Sequence, residues 1–206
     1  MKHKSLIAFV AVVSFLALAV TTAQATPVTW GTNGHSYDVI ALPSSSWAAA
    51  QTSAQSLGAG WDLATITAAG EQTFINSLLG PPPTSGIVQY WVGGFQSPGS
   101  VEPGGNWQWI NGEGLFWDNG PLSGVYANWG LGEPNDDFGR GGQSHVALDN
   151  RYGWGWDDND QYLSGIIYGY VAENSNVASV PEPSSLLLLG SGLAGVGLWR
   201  RLRVKS

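Results

Sequence analysis

Between Tyr37 and Glu173 the spacing of hydrophobic and polar positions changes from helical to strand-like. Tyr37-Asp38-Val39-Ile40 predicts a first strand. Trp47, Ala50, Ala54 and Leu57 recur on one face at helical spacing, Ser44 to Ser46 offer N-caps, and Gly58 and Gly60 stop the run. Together they predict a helix over 47–57. After the apolar stretch Leu63-Ala64-Thr65-Ile66, Thr67 is placed to cap a second helix over 68–79, with Glu71 near its positive end and Phe74, Ile75 and Leu78 as its apolar stripe. Gly80 and three prolines end it. From Tyr90 onward the pattern predicts short strands between glycines, over 90–95, 107–110, 145–148, 153–157 and 169–173. Residues 112–144 show little periodicity, and a loop that long inside a compact domain is usually functional.

The two ends carry targeting patterns instead of fold patterns. Lys2 and Lys4 precede an apolar run from Leu6 to Val20, and Ala23-Gln24-Ala25 offers a cleavage point, so residues 1–25 read as a secretory signal peptide. Residues 26–174 then form one domain, and 175–206 a linker and tail. In that tail Pro181-Glu182-Pro183 leads into an apolar run from Leu186 to Trp199, closed by Arg200, Arg201, Arg203 and Lys205. The run is shorter than the ~20 residues of a stable membrane span, and its basic end would stay cytoplasmic. This tail resembles the PEP-CTERM sorting signal of Gram-negative bacteria. The resemblance implies a short hydrophobic helix that anchors transiently in the inner membrane. It further implies cleavage by an exosortase-type enzyme and release to the cell surface or an exopolysaccharide matrix.

Removing the ends changes the charge. Six of the 8 basic residues lie in the targeting segments, leaving Arg140 and Arg151, whereas of the 15 acidic residues only Glu182 does. So acidic a domain repels phosphate backbones, which argues against nucleic acid as a partner, and suits one that collects divalent cations. There is no cysteine, hence no disulfide framework despite the export pattern. All but Trp199 of the 11 tryptophans remain to build a core.

Two clusters of oxygen donors stand out: Glu133-Pro134-Asn135-Asp136 in the long loop, and Trp156-Asp157-Asp158 in a following strand. A hard cation such as calcium takes six to eight oxygens from carboxylates, amide carbonyls and water. Glu133, Asn135, Asp157 and Asp158 supply that chemistry. Pro134 holds the preceding residue extended, in a trans or cis bond.

In this order, the elements are similar to the C-type lectin-like domain: an α+β fold with two helices, short antiparallel strands and a long calcium-binding loop. The likeness rests on Trp47, Ala50 and Ala54, on Leu63 to Ile66, and on Glu71 with Phe74. It continues through Trp91-Val92-Gly93-Gly94-Phe95, Trp107 with Trp109, Asn128-Trp129, the Glu133-Pro134-Asn135 triplet, Trp156-Asp157-Asp158 and Tyr170 to Glu173. It implies a Ca2+ held by Glu133, Asn135, Gln143, Asp157 and Asp158. Glu133, Asn135, Asp157 and Asp158 would share that ion with the hydroxyls of a bound carbohydrate. Asp157 stands where the family has asparagine and Gln143 where it has glutamate, so the sugar preference is open. Ala54 and Ala172 stand at one family disulfide, and His145 and Gln161 at the other, where a hydrogen bond between the latter two is conceivable. Trp129 is a candidate platform for a sugar face or a core residue.

The resemblance implies a calcium-dependent carbohydrate-binding module whose partner is a glycan or exopolysaccharide. The alternative is a structural or protein-binding matrix component in which calcium only orders the loop. Enzyme readings lack support: His35 and His145 are the histidines left in the domain, no serine sits in a glycine-flanked elbow, and Glu102 and Glu113 lie in glycine-rich polar loops.

Overall fold

The computed structural model describes residues 26–137, 142–160 and 164–176. The expected signal peptide over 1–25, the expected hydrophobic run of the tail, and Gln161 as a partner for His145 lie outside these residues. Among the described residues no helix is long and apolar enough to cross a membrane.

Among the described residues nine strands and two α-helices follow one another as β1 (Val28–Thr29), β2 (Ser36–Ala41), α1 (Trp47–Gln55), β3 (Trp61–Leu63), α2 (Ala69–Leu79), β4 (Gln89–Gln96), β5 (Trp107–Trp109), β6 (Leu115–Trp117), β7 (His145–Asp149), β8 (Gly155–Asn159) and β9 (Ile167–Asn174). The path β1-β2-β9-β4-β5-β6 runs through the sheet, with β3 added on β9 and the β7–β8 hairpin on β4. All pairings are antiparallel except β4 with β9, which is parallel and sets Trp91 beside Tyr170. The sheet is therefore mixed, with the short antiparallel strands that the resemblance implies and one parallel pair among them. β2 pairs along its whole length with β9, Ser36 opposite Asn174 and Ala41 opposite Gly169.

α1 begins where Ser46 accepts a hydrogen bond from the Ala49 N–H, and buries Trp47, Ala50 and Ala54, as the spacing predicted. α2 departs from expectation at its start. Its N-cap is Ala68, with no side-chain cap. Thr67 is instead a donor: its N–H reaches Oε2 of Glu71 at 2.7 Å. Glu71 is buried, and its Oε1 accepts the proton of the Tyr37 hydroxyl. Glu173, also buried, accepts from the Thr65 N–H at 2.9 Å and from Tyr37 at 3.1 Å. Two buried carboxylates thus pin the link between β3 and α2 to β2 and β9, satisfying donors that burial would otherwise leave costly.

The sheet separates two apolar clusters. Trp107, Trp109, Phe116 and Trp156 fill the α2 side, and Trp47, Trp91, Tyr170 and Ala172 the α1 side. Ala54 and Ala172 both lie fully buried in the second cluster, so apolar contact occupies the place where the resemblance sets a disulfide. Three buried indoles find a partner for their N–H, Trp47 on Val92 O at 2.7 Å, Trp91 on Ser45 O at 3.0 Å and Trp156 on Gln72 Oε1 at 2.7 Å, whereas the buried Nε1 of Trp129 has none. His145 lies against Trp47, ring centroids 4.6 Å apart, and burial pulls its imidazole down to about 4.

Candidate metal and ligand site

The long loop meets β8 through backbone bonds. The Trp156 N–H donates to Asn128 O and the Gly130 N–H to Trp156 O, both at 2.8 Å. The Glu133 N–H then donates to Gly130 O at 3.1 Å, setting Glu133 over the β7–β8 hairpin. The peptide bond between Glu133 and Pro134 is cis. Gly130 is needed for clearance, because a Cβ there would lie 2.4 Å from the Tyr152 ring.

Asp157 and Asp158 follow one another on β8, and both are buried, at 6 % and 0 % exposure. Asp158 faces the loop backbone: its Oδ1 accepts from the Asn135 N–H at 2.9 Å and its Oδ2 from the Asp136 N–H at 2.8 Å. Asp157 faces a polar row instead. Its Oδ2 accepts from Gln89 Nε2 at 2.6 Å and from Arg151 Nη2 at 2.8 Å. Arg151 also grips the fully buried Asp149, with Nη2 2.8 Å from Oδ2 and Nε 3.1 Å from both oxygens. Glu133 receives the Tyr152 hydroxyl on Oε1 at 2.5 Å, while its Oε2 is buried without a partner.

Glu133, Asp157 and Asp158 each offer a carboxylate oxygen, and the three oxygens lie within 4.8 Å of one another. Such a cluster resists ionisation. Burial first, then the neighbouring Glu133, pushes both Asp157 and Asp158 well above the carboxylate range, countered at Asp157 by Arg151 and at Asp158 by the two loop N–H groups. A divalent cation would reverse that penalty.

The cluster opens into a cleft of about 260 Å³ lined by Glu133, Asn135, Gln143, Arg151 and Asp157, among others. Four of the five expected metal ligands therefore meet at one cleft, and Asp158 lies beneath it. Gln143 is buried there with Oε1 accepting from the Asp137 N–H at 2.7 Å. Trp129 is turned to the core, 4.9 Å from the Trp107 ring and 5.8 Å from Trp156. Glu102 and Glu113 are both exposed.

Sequence reasoning missed Arg151, Tyr152, Asp149 and Gln89. One signal was present: Arg151 is one of two basic residues in a strongly acidic domain, so a carboxylate partner was to be expected. Gln89 and Asp149 carried none.

Residues 179–201 match the PEP-CTERM protein-sorting motif, which marks the chain for export and membrane-anchored sorting. No curated protein sequence matches the chain. Among solved structures it is similar to the C-type lectin CEL-I from Cucumaria echinata, at 19 % identity and TM-score 0.53 over 72 % of this chain and 96 % of that one. Human lithostathine is similar at 18 % identity and TM-score 0.55, over 79 % of this chain and 97 % of the other. SPL-2 from Saxidomus purpuratus, described as a calcium-independent C-type lectin, is similar at 18 % identity and TM-score 0.53, over 74 % and 93 %. This chain carries the C-type lectin-like fold, without disulfides, followed by a PEP-CTERM sorting motif.

Proposed function

We propose that the domain binds calcium in the cleft and, through it, the hydroxyls of a glycan, after export to the cell surface or an exopolysaccharide matrix of a Gram-negative bacterium. SPL-2 is described as calcium-independent, so the fold alone does not imply the ion, and the donor set must carry the case. The supporting observation is Oε2 of Glu133, a buried carboxylate oxygen without a partner, on a side chain whose carboxylate clusters with those of Asp157 and Asp158. A buried unpaired carboxylate is costly, and a hard cation offsets the cost.

Glu133, Asn135 and Asp157 would hold the ion from the cleft wall, Asp158 from beneath, and Gln143 through the free lone pair of Oε1. The ion supplies coordination for a pair of sugar hydroxyls. The chain supplies direction: the Asn135 amide both donates and accepts, whereas Asp157 when ionised only accepts. Processing by an exosortase-type enzyme, with transient anchoring in the inner membrane, follows from the sorting motif. The chain's role is binding, not catalysis, and the proposed enzyme contact is the one that processes its tail.

A second possibility has one observation in its favour. Asp158 commits both oxygens to loop backbone, an arrangement suited to an ion that only orders the loop for a protein partner. Calorimetric titration with calcium, then with mannose and galactose in calcium and in chelator, separates the two. Sugar binding that requires calcium supports the lectin function. Calcium binding without sugar binding favours the loop-ordering role, and no calcium binding rejects both.

A further inference from the structure

Four carboxylates, Glu133, Asp149, Asp157 and Asp158, meet at or beneath the cleft, and among the described residues a single cation, Arg151, sits with them. Arg151 bonds Asp149 and Asp157 at 2.8 Å each, with its own side chain 42 % exposed and its two partners nearly buried, at 0 % and 9 %. The guanidinium therefore lies at the rim, held from inside and free to swing outward. It takes, together with Gln89, the acceptor positions of Oδ2 of Asp157. Glu133 Oε2 has no N–H or hydroxyl donor, and its side chain meets the carboxyl group of Asp158 instead. The cleft is thus charge-compensated on one side and bare on the other.

We infer that Arg151 is a built-in counter-cation that calcium must dislodge from Asp157, so that residue 151 sets the calcium affinity of the site. This rests on the calcium-binding function proposed above. A divalent ion in contact with Asp157 would lie next to the guanidinium, at a separation where like charges in a partly buried site repel strongly. Arg151 also occupies one of the two oxygens that Asp157 can offer an ion, while Gln89 remains to hold Asp149 and Asp157 when the guanidinium leaves. The consequence is a site that stays closed on its own arginine at low calcium. It fills in the range of about 10⁻⁴–10⁻³ M that extracellular calcium modules use. A merely positioning role for Arg151 predicts the opposite sign, because its loss would then loosen Asp157.

The test is calcium calorimetry on the protein and on Arg151→Gln and Arg151→Lys. Arg151→Gln removes the charge and keeps a hydrogen-bonding side chain, and is expected to bind calcium at least about tenfold more tightly. Arg151→Lys keeps the charge without the fork and should bind calcium more weakly than Arg151→Gln, and Lys binding as tightly as Gln would overturn a role for the charge. A parent that binds while Arg151→Gln binds equally or more weakly overturns this inference and leaves the calcium function standing. Calcium binding by neither protein overturns both, and binding by Arg151→Gln alone supports the inference while removing calcium dependence from the parent. A measurement on the unmodified protein covers the case of a variant that does not fold. Only Arg140 and Arg151 lie within 26–180, so the side-chain Nε–H signal of Arg151 is readily assigned by NMR. Calcium should move it to the position of a free guanidinium, and a signal unchanged through saturation overturns the inference.

Discussion

Tyr152 donates its hydroxyl proton to Oε1 of Glu133, leaving the second oxygen of the same carboxylate buried and unpartnered. One oxygen is fixed by Tyr152 and the other is left without a donor on a side chain that lines the cleft. A hydrogen bond to a charged group contributes roughly 1.5–3 kcal/mol, so its loss frees Glu133 to rotate. Tyr152→Phe is expected to weaken calcium binding roughly tenfold with little change in overall fold. Calorimetry against the parent checks it, and unchanged affinity would remove Tyr152 from the site.

Gly130 makes the Tyr152 contact achievable. A Cβ at that position would lie 2.4 Å from the ring, against side-chain atoms held by the hairpin. Gly130→Ala should therefore displace Tyr152 and Glu133 together and weaken calcium binding at least as much as Tyr152→Phe. Because the strain falls at the loop and not in the core, near-ultraviolet circular dichroism of the tryptophans should change little. A large spectral change would place the damage in the aromatic core instead.

The helices were legible in the sequence because their apolar spacing and the Ser46 cap are local properties. The start of α2 was not: Thr67 has the chemistry of a cap, but Glu71 reaches back to its N–H and Ala68 takes the cap position. β6 escaped notice because three residues between glycines carry no period. The parallel pairing of β4 with β9 was equally hidden, since alternation along a strand says which face is buried and nothing about the direction of its partner. The ligand cluster was legible as residue types, Glu133, Asn135, Asp157 and Asp158. Its electrostatic setting was not, because Gln89, Asp149 and Arg151 are joined to Asp157 only by the packing of the β7–β8 hairpin on β4.

His145 gives the fold an acid-side weakness. Its imidazole titrates at about 4 in the folded protein against 6.5 when exposed, because burial against Trp47 disfavours the charged form. A depressed value means the stabilisation is complete above pH 6.5 and is lost as pH falls toward 4, on the order of 3 kcal/mol in total. His145→Phe should flatten that part of the stability profile in urea unfolding at several pH values. Parallel profiles for parent and variant would refute the assignment.

Asp157 and Asp158 act in the reverse direction. Their raised values mean that, without metal, the folded protein holds protons that the unfolded chain releases. The stabilisation they give is complete in acid, below the ordinary carboxylate value, and is lost as pH rises through the folded values toward neutrality. Calcium displaces those protons, so its affinity should fall as pH is lowered from 8 to 6, and binding should release protons that calorimetry in buffers of different ionisation enthalpy can count. An affinity independent of pH over that interval would show both groups already ionised.

The antiparallel pairing of β2 with β9 has a consequence for how the molecule is moored. The chain enters near Ser36 and leaves near Asn174, which face each other at one end of β9, and from there it runs on to the sorting motif. The cleft lies at the other end, where Ile166 lines it and Ile167 sits beside Gln89. Seven steps along a strand separate the two ends by roughly 23 Å. The described chain therefore leaves the domain at the pole away from the opening, and nothing in β9 itself runs past the mouth of the cleft on the way out.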